Sequence, residues 1–161
     1  MDNNIIIRHA TRADMAAVLR HIKKLAKFER APQAVMVTVD ELEQDGFGFN
    51  PLFQVTLAEV DGNIVGMVFY YEGYSTWKGK LVFLEDLYVD DNYRRKGIAS
   101  KLIDKVIEYA QLVNAKRVKW QVLNWNEPAK ELYKKYNVDF DEEWIDCNLT
   151  YEQIKNFKPK Q

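Results

Sequence analysis

The chain has 161 residues, with 23 basic and 24 acidic side chains, a net charge of −1, 47% apolar residues and 29% charged ones. This is the composition of a soluble globular protein, and the charge balance leaves no global basic field to hold nucleic acid. The length predicts one domain over residues 1–161. A single cysteine, Cys147, excludes an intrachain disulfide, and no metal-ligand spacing is present. The start "MDNNIIIRHA" is too short in apolar residues for a signal peptide, and no apolar run is long enough to span a bilayer. These features predict a cytoplasmic protein without a membrane partner.

In chain order, "IIIRH" (Ile5 to His9) predicts a strand. Thr11, with Asp14 three residues on, caps a first helix. Met15, Val18, Leu19, Ile22 and Leu25 recur there at helical spacing, and the helix runs to about Phe28. Thr38 caps a short second helix that Gly46 is expected to end. "FQVTLAEV" alternates as a strand, Asp61 to Asn63 form a hairpin turn, and "IVGMVFYYEGY" returns. "KLVFLEDLYVD" predicts a third strand of this run, and a charged loop and a long helix follow. "KRVKWQVL" predicts a strand, "AKELYKKY" a helix with Pro128 near its first turn, "EEWIDCNL" a final strand, and "TYEQIKNF" a terminal helical turn. The order β-α-α-β-β-β-α-β-α-β is that of an α/β (α+β) chain with a mixed, mostly antiparallel sheet and helices on both faces.

The loop "NYRRKGIAS" poses an electrostatic problem. A helix N-terminus carries partial positive charge, yet Arg94, Arg95 and Lys96 stand in front of one. Gly97 and Ala99 are small enough to leave the backbone N–H groups accessible, so an anion such as a diphosphate suits the place. Neither GxxxxGK[ST] nor GxGxxG is present. A solvated basic loop is the alternative reading.

"RRKGIA" resembles the [RQ]-x-x-G-x-[GA] motif of the GNAT superfamily of N-acetyltransferases. The resemblance implies the GNAT fold, with acetyl-CoA as cosubstrate and no metal. It also implies that Arg95, Lys96, Gly97, Ile98, Ala99 and Ser100 cradle the diphosphate. "DGFG", "FLEDLYV", "NEP" and Tyr133 are similar to the diamine acetyltransferase group, which includes the spermidine/spermine and thialysine enzymes. Ser75, where the polyamine branch has an aspartate, and Phe28, where it has a tyrosine, lean toward the thialysine branch.

The implied reaction is attack of a neutral amine on a thioester. The amine proton needs a base. Glu85 and Asp86 stand in an otherwise apolar strand, where a charge is costly unless used or paired. Alternation lets only one of them face a site unless a bulge re-aims the other. Glu85 is the favoured substrate-binding carboxylate and water-mediated base, and a carboxylate pair bonding a turn is the alternative. The resemblance implies that Leu87, Tyr88 and Val89 line the pantetheine arm and supply an N–H to the oxyanion. It further implies that Asn126 binds the cofactor and that Tyr133 binds it and protonates the leaving thiolate. Without the resemblance Tyr133, beside Leu132 and one turn before Tyr136, reads first as core. Phe28, Glu29, Trp77, Asp86 and Glu143 (or Glu142) are candidate substrate contacts through charge and aromatic faces; Trp120 and Trp144 offer further faces. His9 and His21 read as structural, and Cys147 as a buried residue of the final strand. The group forms homodimers, often by exchanging the C-terminal strand, which implies a dimer here and makes the segment around Trp144 the candidate for such an exchange. The competing functions are an acyl-CoA sensor or docking module, and a protein or peptide N-acetyltransferase.

Overall fold

The structure is a computed structural model that describes residues 4–159. It divides into two compact units, Met1–Asn126 and Glu127–Gln161. In the first, β1 (Ile5–His9), β2 (Gln54–Val60), β3 (Asn63–Ser75), β4 (Gly79–Val89) and β5 (Arg117–Lys119) lie side by side in that order. The first four are antiparallel and β5 is parallel to β4. The β2–β3 turn is tight because Asp61 and Gly62 both take positive φ, 50° and 77°. That is the twist a two-residue hairpin loop needs.

Helices cover both faces of the sheet. On one, Met15, Val18 and Leu19 of α1 (Met15–Phe28) and Leu42 of α2 (Val39–Phe47) pack with Val55, Leu57, Met67 and Tyr88. Each such side chain contributes about 1.5–3 kcal/mol by leaving water. On the other, α3 (Ile98–Leu112) buries Ile98, Leu102, Ile103, Val106 and Ala110. Its Tyr109 ring meets Tyr70 of β3 edge-on at 5.2 Å. Strands covered twice are apolar on both sides, which explains their near-continuous burial.

Several boundaries differ from the sequence reading. Gly46 does not end α2, which runs to Phe47 with Gly48 as its C-cap. Gly46 is instead required by packing: a Cβ there would stand 2.6 Å from the Phe53 ring. Thr38 does cap the helix, accepting the Glu41 N–H at 3.2 Å while Glu41 accepts the Thr38 N–H at 2.8 Å. Strand β5 is only three residues long. It pairs with Leu81–Phe83 and then leaves, so the second half of β4 has no ladder partner on that edge among the described residues.

The second unit holds α4 (Glu127–Lys134) and α5 (Tyr151–Lys155). The expected final strand over 142–149 does not form. Its residues have β propensity, but a strand needs a ladder partner, and the segment has none among the described residues. Cys147, read as buried, is exposed for the same reason. Thr150 caps α5 in a capping box with Gln153. No described helix is long and apolar enough to cross a membrane.

Candidate active site

The acidic pair sits on a β-bulge. Phe69 faces Asp86 and Tyr70 faces Leu84, so Glu85 is the extra residue in β4. Cross-strand partners share a face. Leu84 therefore lies on the α3 face with Tyr70, while Asp86 and Tyr88 lie on the α1 face with Phe69 and Met67. The condition under which both carboxylates can serve one place is thus met. Burial raises the Asp86 pKa to about 7, helped by the charges of Glu85 and Glu29. Glu29, which ends α1, is itself raised by burial. Burial raises the Tyr71 phenol too, and its hydrogen bond to Glu85 adds to the effect. The three carboxylates form one electrostatic cluster, and among the described residues no cation offsets the rise at Asp86. Such a cluster is suited to an ammonium group.

The loop between β4 and α3 has the form of an anion cradle. Asp90 leads a one-turn 3-10 helix, Asp91–Tyr93, whose Tyr93 N–H returns to the Asp90 carbonyl at 2.8 Å. Arg95 and Gly97 then take left-handed φ values of 60° and 78°. The helix begins at Ile98, so the first-turn N–H groups of Ile98 and Ala99 have no carbonyl behind them within the helix. A Cβ at Gly97 would meet nothing within 4 Å, which leaves the backbone open to a ligand. Gly66 lets α3 approach, because a Cβ there would stand 3.0 Å from the Tyr88 carbonyl and 3.5 Å from Ile98. Arg95 is exposed, and Lys96 lies 5.0 Å from the Tyr93 ring. These features fit a diphosphate. Leu87, Tyr88 and Val89 lead into the loop along the part of β4 that β5 leaves unpaired.

Of the aromatic candidates, Phe28 at the end of α1 packs against Trp125 at 5.6 Å, and Arg94 lies 5.3 Å over its ring. It therefore borders the loop, and it directly precedes Glu29 in the chain. Trp77 projects from the β3–β4 turn at 83% exposure. Ser75 is used locally, its hydroxyl accepting the N–H groups of Trp77 and Lys78 at 3.3 and 3.2 Å. Asn126 closes the first unit, donating its backbone N–H to Leu123 at 2.8 Å. In the second unit, Tyr133 is buried on α4 with 6% exposure, and Glu143 is an exposed loop residue bonded to Asp141.

Sequence reasoning passes over three residues. Arg94 counts there only as loop charge. Its guanidinium instead binds the Val89 carbonyl at 3.1 Å and Asp91 at 2.8 Å, which fixes the loop. Tyr71 reads as a plain strand residue, and only the bulge brings it to Glu85. Trp125 lies inside "NWNEP" without a visible partner; in the fold, Arg30 lies 4.4 Å over its ring.

The family model described as the acetyltransferase (GNAT) family matches residues 16–137. The chain is 40% identical over 139 residues to the thialysine N-epsilon-acetyltransferase of Sus scrofa, covering 81% of this chain and 82% of that protein. It is 35% identical over 134 residues to a spermidine/spermine N(1)-acetyltransferase-like protein 1 of Homo sapiens, covering 79% of this chain and 19% of that one. Among solved structures, an aminoglycoside acetyltransferase from an uncultured soil metagenomic sample superposes with a TM-score of 0.76 at 21% identity, covering 92% and 97% of the two chains. An aminoglycoside N-acetyltransferase in complex with CoA gives 0.74 at 17%, with the same coverage. At these identities the structures speak to the fold. With the family match spanning most of its length, the chain belongs to the GNAT family of acetyltransferases, enzymes whose acyl donor is acetyl-CoA.

Proposed function

We propose that this enzyme moves the acetyl group of acetyl-CoA directly onto the primary amine of a small cation, and that a thialysine- or lysine-like amine is preferred over diamines and polyamines. The observation that carries this reading is the cluster of Glu29, Glu85 and Asp86: burial and the two neighbouring charges raise Asp86, burial raises Glu29, and a bound ammonium would offset both penalties. Three carboxylates suit one ammonium head better than an extended polycation, and Ser75 adds no fourth. The relative from Sus scrofa, named for thialysine, supports the same choice.

Bound acetyl-CoA supplies an activated acyl carbon and a thiolate leaving group; the chain supplies the rest. Arg95, Lys96 and the N–H groups of Gly97 to Ser100 hold the diphosphate. A backbone N–H on the open edge of β4, from Leu87 or Val89, stabilises charge developing on the acetyl oxygen. Glu85 draws the proton from the amine through water. Asp86 beside it, whose pKa burial raises to about 7, can take up that proton. Asn126 aids cofactor binding, and the Tyr133 phenol, whose ordinary pKa is near ~10, returns a proton to the thiolate. Phe28, Trp77 and Glu143 border the amine.

We read both units as one domain over residues 1–161, a reading supported by a family match that crosses their boundary. We also propose a homodimer in which a second copy covers the exposed Trp144, Ile145, Leu149, Ile154 and Phe157 and pairs residues 142–149 as a strand. An exposed free Cys147 fits a reducing cytoplasm. The test is CoA release from acetyl-CoA with thialysine, lysine, putrescine, spermidine and a lysine-bearing peptide, for wild type and Tyr133→Phe. Fastest release with thialysine, reduced about a hundredfold or more in the variant, is expected. Preference for spermidine would overturn the substrate assignment. Silence with CoA still bound would make the protein a sensor. A monomer by light scattering would remove the dimer.

A further inference from the structure

His21 lies in the middle of α1 and is 3% exposed. Its Nδ1 stands 2.9 Å from the Ala17 carbonyl oxygen. A carbonyl only accepts, so Nδ1 carries the ring proton. In the neutral ring Nε2 is then a bare lone pair. It is buried, has no hydrogen-bond partner among the described residues, and points at the Asp90 carboxylate with Oδ2 3.7 Å away. Two acceptors facing each other in a buried place is an unfavourable arrangement. A proton on Nε2 reverses it, giving a charge-assisted contact.

Asp90 is where this matters for the reaction. It is the residue at which β4 becomes the cradle loop. Its N–H donates to Val65 at 2.8 Å, its carbonyl receives Tyr93, and its carboxylate receives Lys24 Nζ at 2.6 Å. Desolvation and then the Asp90 charge raise the Tyr88 phenol, whose ring meets His21 edge-on at 5.6 Å. The charged and titratable groups around the histidine are therefore Asp90 and the neutral Tyr88 phenol from the strand and its end, and Lys24 from the next turn of α1. Behind them, Asp91 and Arg94 of the loop act on Tyr88. Lys24, Tyr88, Asp90 and Arg94 also line a cavity of about 540 Å³ between α1 and the loop.

We propose that His21 is a positioning residue for the cofactor loop: its protonated ring draws in Asp90, fixes the start of the cradle and adds positive charge beneath it, so acetyl-CoA binds more tightly as pH falls. This rests on reading Arg95 to Ser100 as the diphosphate site. Binding and protonation are linked in both directions, so CoA must equally favour the protonated ring.

The test is CoA binding by calorimetry across about pH 5 to 8, the window in which imidazoles titrate, for wild type, His21→Leu, His21→Gln and Asp90→Asn. The CoA phosphates titrate alike in every variant, so the comparison isolates the protein. Wild-type affinity should fall with pH by about fivefold or more beyond the fall in His21→Leu and Asp90→Asn. His21→Gln, with a permanent amide donor, should bind tightly without that extra dependence. Parallel curves for wild type and His21→Leu would overturn the proposal. As a readout independent of variant folding, the His21 ring resonances of the wild type are titrated with and without CoA. The titration should move to higher pH with CoA, and an unmoved titration would overturn the proposal. CoA binding at no pH would overturn the diphosphate reading together with this one.

Discussion

Replacing Asp86 with asparagine should stabilise the protein, and by an amount that depends on pH. The Asp86 pKa is raised from its ordinary 3.8 to about 7 by burial and by Glu85 and Glu29. Folding therefore favours the neutral carboxyl. The stability it contributes is fully present below about pH 4 and is lost as pH rises to about 7, where the buried group ionises. Each pH step in that window costs about 1.4 kcal/mol, so the loss reaches on the order of 4 kcal/mol above pH 7. An asparagine amide has the same shape and no charge to ionise. Thermal unfolding of wild type and Asp86→Asn should give similar midpoints near pH 4. A gap should open with pH and reach on the order of 10 °C at pH 8 for a chain of this size. On the proposed mechanism activity should fall in the same variant, because one carboxylate of the ammonium site is gone. A gap that is constant with pH, or a variant less stable than wild type at pH 8, would refute the electrostatic account of this site.

Gly97→Ala places a Cβ in open space but at a φ of 78°, so the penalty is backbone strain alone. About 1 kcal/mol of stability should be lost and CoA affinity weakened, as read by melting and calorimetry. Arg95→Glu should weaken CoA binding at least about tenfold while leaving the melting temperature unchanged, and the defect should shrink in high salt. Thr38→Ala removes the cap of α2 and should cost about 1 kcal/mol in a denaturant melt without altering the KM for acetyl-CoA.

The parts legible in the sequence are those set by local pattern. The spacing of Met15, Val18, Leu19, Ile22 and Leu25 sets the bounds of α1. Asp61-Gly62 announces its own turn, and "RRKGIA" announces a cradle whose left-handed residues the structure supplies. What stays hidden depends on pairing between distant segments. The bulge at Glu85 is a matter of register between β3 and β4, so the acidic pair is visible in the sequence but its shared surroundings are not. The early departure of β5 and the failure of 142–149 to form a strand have the same origin, since a strand's existence depends on what lies beside it. His21 looks inert in the sequence because its two partners, Asp90 and Tyr88, lie far from it along the chain.

The parting of β5 from β4 after Phe83 has a consequence for handling and for the cell. A strand half without a ladder partner is a template on which another chain can pair. The pantetheine arm is a short chain with two amide groups, able to occupy that edge much as a neighbouring strand does. On the proposed placement of that arm along Leu87 to Val89, donor supply would govern more than turnover. Protein starved of acetyl-CoA should be the more prone to self-association through its sheet, and purification in the presence of CoA should keep it in solution.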